Sequence, residues 1–254
     1  MLFSIFKDRF TWSLMLFAFM IICSLVYWYF IKVKKNRMDH KAQPFLFFSG
    51  LSLLYLLKGS PLTILSHFSY TTHMLQMSII YFYIPPLILL GIPKSIINKL
   101  YYRYIGILSL SLFGLGLFLY HLPTTAIYIM SHTILHEVYL WIMFISAIFM
   151  WYPLSFQNKR NNYFLYTKMK YTSLQAIIIT PACLLLIVLP LNPEMNPLFT
   201  QMSALCISPS YMEQLLPFPF NTSFDQQFAG FLMFLMHKAS VSVTSKIAAK
   251  SHGL

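Results

Sequence analysis

Apolar residues in this chain gather into long blocks at residues 11–33, 44–57, 68–91, 104–120, 124–153 and 172–191, with a seventh starting near residue 223. A helix of roughly 20 apolar residues crosses a bilayer, so the pattern predicts membrane-spanning helices. The second block is short and ends at Lys58-Gly59-Ser60-Pro61, a breaker cluster. Pro85 and Pro86 interrupt the third block. They lack amide donors, which predicts a kink and freed carbonyls one turn back, near Tyr81 and Phe82. Pro181 lies inside the sixth block. The seventh opens on Ser223-Phe224-Asp225-Gln226, the spacing of a capping box. Its apolar run before Lys238 is only about half a crossing, so either that side chain snorkels or the helix is tilted and partly shielded by its neighbours.

Charge between the blocks sets the orientation. Lys32, Lys34, Lys35, Arg37 and Lys41 follow the first block, Lys94, Lys99 and Arg103 the third, and Lys159, Arg160, Lys168 and Lys170 the fifth. Of the alternate stretches, those at 121–123 and 192–223 carry no Lys or Arg, and the break after the second block has Lys58. By the positive-inside rule the N-terminus is outside and the C-terminus, with Lys246 and Lys250, inside; Lys7 and Arg9 oppose this and are outnumbered.

Composition agrees. The chain is 58% hydrophobic and only 9% charged, against about one quarter charged in globular domains. The expected fold is all-α: one integral membrane domain over residues 1–254, a polytopic bundle of about seven transmembrane helices. The first block is too long for a signal-peptide core and is expected to remain as a helix. A net charge of +12 would suggest nucleic acid in a soluble protein, but here it belongs to the cytoplasmic loops, and no nucleic-acid partner is expected. No phosphate loop, nucleophile elbow or nucleotide fingerprint appears, so an enzyme is not expected. The cysteines are Cys23, Cys183 and Cys206, odd in number and without a CxxC; the first two read as packing residues and no disulfide framework is expected.

Ionisable residues inside membrane segments are costly and point to function. His132 and His136 lie four apart in the fifth block, which on one continuous helix puts them on one face. Entering from outside, they would sit roughly 12 and 18 Å deep. His73 and Met77 repeat that spacing in the third block, and Met233 and His237 in the seventh. Two stripes follow: Tyr128, His132, His136, Tyr139 and Met143, then Gln226, Gly230, Met233 and His237. Imidazole with thioether and few carboxylates suits Cu(I) better than zinc, magnesium or calcium. The expected metal set is therefore His73, Met77, His132, His136, Met233 and His237. Glu137 points off the His132/His136 face, and Asp225 reads as a helix-start residue. His67 and His121 fall at the membrane edge, where a solvated histidine costs little, and His40 and His252 in cytoplasmic segments. Against this stand histidines that merely bond neighbouring helices, and methionines, 15 in all, that merely fill space. Two other functions use the same residues: haem held by axial histidines, and a transporter with a histidine relay.

The chain also resembles the seven-helix CtaG-type cytochrome c oxidase assembly factors of Gram-positive bacteria. The resemblance rests on Gly59-Ser60-Pro61-Leu62, His73-Met74-Leu75-Gln76-Met77, Pro85-Pro86-Leu87, Gly91-Ile92-Pro93, His121-Leu122-Pro123, His132 with His136, Phe149-Met150-Trp151-Tyr152-Pro153, and Asp225-Gln226-Gln227-Phe228-Ala229-Gly230-Phe231-Leu232-Met233. It covers residues 59–233. The family pattern has a second histidine where this chain has Met77, and commonly a tryptophan where it has Tyr120. The resemblance implies a multi-pass protein of a bacterial plasma membrane. Such a protein would serve caa-type haem-copper oxidase by supplying or guarding copper, with the oxidase subunits as partners.

Overall fold

A computed structural model of the chain describes residues 12–32, 41–67, 69–93, 104–156, 163–191 and 223–251. Among these it is helical, with no strand. The helices are α1 (Leu14–Lys32), α2 (Gln43–Lys58), α3 (Tyr70–Ser78), α4 (Ile84–Gly91), α5 (Ile105–His121), α6 (Pro123–Ser131), α7 (Thr133–Ser155), α8 (Tyr163–Val188) and α9 (Ser223–Ser251). Each apolar block is thus helical. Four spans are long and apolar enough to cross a membrane: Leu14–Lys32, Tyr70–Gly91, Thr133–Ser155 and Met169–Leu191. Counting α5 and α6 as one bent span gives five. The α2 helix has only 16 residues, and α9, with 29, is long enough but too polar. His40, His252, Cys206 and most of the basic loop residues lie outside the described residues.

Helices α3/α4, α9, α8, α5 and α7 pack successively into a closed ring, since α7 returns to α4; α2 lies outside against α4, and α1 against α2. Small residues allow the close approaches that drive association of apolar helices. At Gly91 a Cβ would sit 2.5 Å from the backbone nitrogen of Phe47, so α2 can approach α4 only because that position is glycine. The Tyr27 hydroxyl donates to the Gly91 carbonyl at 3.0 Å, and its ring stacks on Phe47 at 4.1 Å, joining α1 to the same contact. Cys23 and Cys183 are free thiols, half-buried and buried.

The double proline acts as its chemistry requires. Residues Ile79–Tyr83 form a π-helical turn between α3 and α4. The Ile84 amide skips back to the carbonyl of Ile79, while Pro85 has no proton to offer Tyr81. The orphaned Tyr81 carbonyl instead accepts from the Trp151 indole at 2.9 Å, across the ring from α7. Replacing Trp151 with Phe leaves that buried carbonyl without its donor. We expect a loss of about 1–3 kcal/mol, seen as a lower unfolding temperature in detergent with helix content retained.

One expectation fails. The fifth block is not one helix. It begins as α6, bent 90° from α5, and breaks at His132 before α7 starts. His132 has extended backbone angles (φ −116°, ψ 97°) and caps α7. Its Nδ1 lies 3.0 Å from both the Tyr128 carbonyl and the Ser131 hydroxyl, local bonds that compete with helix continuation. The premise of a continuous His132/His136 face therefore does not hold.

Candidate metal centre

The ring encloses a cavity of about 20 Å³, enough for a single ion or a water or two. Its walls come from α3, the π-turn, α5, α7 and α9. Each donor reaches it for a local reason. Ser69 caps α3, accepting from the Thr72 amide at 3.1 Å, and so fixes the first turn on which His73 stands. His73 is buried, and Met77 follows one turn on. From α9 comes Met233, buried, and from α7 come Met143 and Tyr139. The Tyr139 hydroxyl is held by the Gly116 carbonyl of α5 at 2.5 Å.

The residue that sequence reasoning missed is His121. Expected as solvated at a membrane edge, it is 4% exposed and lines the cavity. Its Nδ1 lies 2.6 Å from the Leu117 carbonyl. A carbonyl can only accept, so Nδ1 carries the proton and, in the neutral ring, Nε2 holds the lone pair. That Nε2 is buried and has no hydrogen-bond partner among the described residues. A backbone carbonyl fixing one ring nitrogen so that the other is free to coordinate is the usual support of a metal-binding histidine. The signal was present in the sequence. The buried face of α5 runs Gly106, Leu110, Phe113, Gly114, Leu117, Tyr120 and His121, a stripe of helical period that includes His121.

Of the six expected residues, the structure brings three to the cavity: His73, Met77 and Met233. His136 stands one step out. Its Nε2 is 3.1 Å from the Tyr120 hydroxyl, and the Tyr120 ring lies between it and His73, at centroid distances of 6.1 and 6.4 Å. His132 is exposed and engaged with its own chain, for the reason given above, and does not reach the cavity. His237 is buried but lies deeper, against the rings of Phe82 at 5.2 Å and Trp151 at 6.4 Å. Neighbouring Lys238 is exposed, its ammonium 5.5 Å over the Phe234 ring. Glu137 also faces out and pairs with Lys58 at 3.6 Å.

The lining is therefore two imidazoles (His73, His121), four thioethers (Met74, Met77, Met143, Met233), three phenols, one hydroxyl and the apolar Phe82, Leu117 and Leu140, with no carboxylate. Among the described residues no three His, Cys, Asp or Glu side chains converge on one point. A metal held here needs methionine sulfur, which selects a soft ion such as Cu(I).

A family model described as cytochrome c oxidase caa3 assembly factor (Caa3_CtaG) matches residues 25–244. Comparison with curated proteins and with solved structures found no match. Membership in such a family implies an assembly role in association with cytochrome c oxidase rather than a catalytic one. The match spans both proline elements, the α5–α6 bend and every wall of the cavity: the chain belongs to the cytochrome c oxidase caa3 assembly factor family.

Proposed function

We propose that this family member assists assembly of a caa-type haem-copper oxidase by holding Cu(I) in the cavity, with His73, His121, Met77 and Met233 as donors. The observation that carries the reading is His121: its lone-pair nitrogen is buried and without a hydrogen-bond partner among the described residues, on a side chain that lines the same cavity as four methionines. Leaving such an acceptor unmatched costs about 1–3 kcal/mol, a cost that a bound ion offsets. Met77, where the family pattern has histidine, keeps a soft donor at that position. His136, half-buried beyond Tyr120, is suited to meeting the ion before it enters. The topology that goes with this function has seven transmembrane helices, the N-terminus outside and the C-terminus inside, in a bacterial plasma membrane. The cavity then opens toward the external face, and the ion passes to an oxidase subunit.

Size favours copper over haem, since about 20 Å³ has no room for a macrocycle. Protein purified in mild detergent and incubated with Cu(I) under reducing conditions is expected to retain about one copper per chain. A protein that stays metal-free there overturns the proposal.

A further inference from the structure

Asp225 is buried near the start of α9, and its carboxylate serves another helix. One oxygen accepts from the Tyr70 amide at 2.8 Å. The other accepts from the Thr71 amide at 3.2 Å and the Thr71 hydroxyl at 2.5 Å. The first turn of an α-helix has unsatisfied amides and a partial positive charge, so a carboxylate is its best partner. The bonds join the first turns of α3 and α9, which pack along each other.

From that joint the two helices run side by side in step. Phe82 is twelve residues past Tyr70, and His237 is twelve past Asp225. These two rings meet at 5.2 Å, so α9 runs parallel to α3 and the π-turn that continues it, in register over about 18 Å of α9. Within that length Met77 stands seven residues from the joint and Met233 eight, both at the cavity. A slip of one residue, about 1.5 Å along the axis and about 100° around it, would carry Met233 off the cavity wall.

We propose that Asp225 is a positioning residue: by tethering α9 to the start of α3 it sets the register that brings Met233 level with Met77, on the cavity that His73 also lines. The consequence for copper rests on the proposed function above, but the register does not, so the two are tested separately. In full-length protein with all three native cysteines changed to alanine, Met77→Cys and Met233→Cys place a thiol on each helix. Cross-linking by dibromobimane, a short bis-thiol reagent that fluoresces only when both ends react, reads the register without metal. Asp225→Ala is expected to lower the yield several-fold. Asp225→Asn, which keeps an oxygen to accept from an amide, is expected to restore most of it.

In the chain with native methionines, Asp225→Ala is expected to weaken Cu(I) about tenfold or more. X-ray absorption should then lose sulfur scattering while nitrogen scattering remains. Cross-linking at the wild-type yield in Asp225→Ala overturns the tether. If that variant does not accumulate, Thr71→Val, which removes only the hydroxyl's bonds to the Asp225 carboxylate and backbone carbonyl, carries the test. Its yield falls below wild type if the tether holds the register and equals wild type if it does not. A wild-type protein that holds no copper, with cross-linking still dependent on Asp225, overturns the function and leaves the tether standing.

Discussion

Replacing His73 and His121 together with alanine is expected to abolish copper retention by the purified protein and to leave cells without active caa-type oxidase. His132→Ala is expected to change neither. The contrast follows from position. His73 and His121 are the imidazoles of the cavity, both buried, one on α3 and one at the end of α5. Removing both leaves only thioethers and phenols, and the affinity of such a site for Cu(I) should fall by at least about a hundredfold. His132 is exposed and spends its ring on its own turn. Copper per protein, measured after reduction and desalting, checks the first half. Haem-copper oxidase activity in membranes from a strain carrying only the variant checks the second. Loss of copper in His132→Ala with retention in the double variant would reverse the assignment.

The second large effect is expected at Gly230. A Cβ there would lie 2.8 Å from the Cys183 carbonyl and 2.9 Å from the Leu186 Cβ, both on α8. The obstacle is partly backbone, which does not swing aside as a side-chain tip does. Gly230→Leu therefore pushes α9 off α8 one turn before Met233. Overpacking of this kind costs typically about 1–3 kcal/mol, and the movement carries Met233 with it. The variant is expected to unfold at a markedly lower temperature in detergent and to bind copper more weakly. Wild-type melting and binding together would mean that α9 is not held by this contact.

Much of the architecture was legible as pattern. Where described, every apolar block is helical, in one piece or in several, because a run of that length must satisfy its backbone within itself. The double proline announced its own consequence: two missing amide protons leave two carbonyls, and one finds the Trp151 indole. The stripe on the seventh block, Gln226, Gly230, Met233 and His237, is buried throughout. The fifth block misled because an apolar run does not record a break within it. Pro123 starts α6, and the short-range bonds of His132 end it, neither of which interrupts hydrophobicity. His121 was misread in the opposite sense, since a histidine beside a proline turn looks like a surface residue until the helix is turned against its neighbours.

The chain's sequence alone determined that helices form, roughly where they begin and end, and that soft donors outnumber carboxylates within them; these follow from local hydrogen-bonding needs and residue chemistry. Which donors share a cavity was decided only in three dimensions. That depends on the 90° bend after α5, on the registers at which α3 and α9 lie together, and on glycines that let backbones touch. Each is a relation between segments far apart in the chain. A single helix carries its own period, but not the rotation and height at which another will meet it.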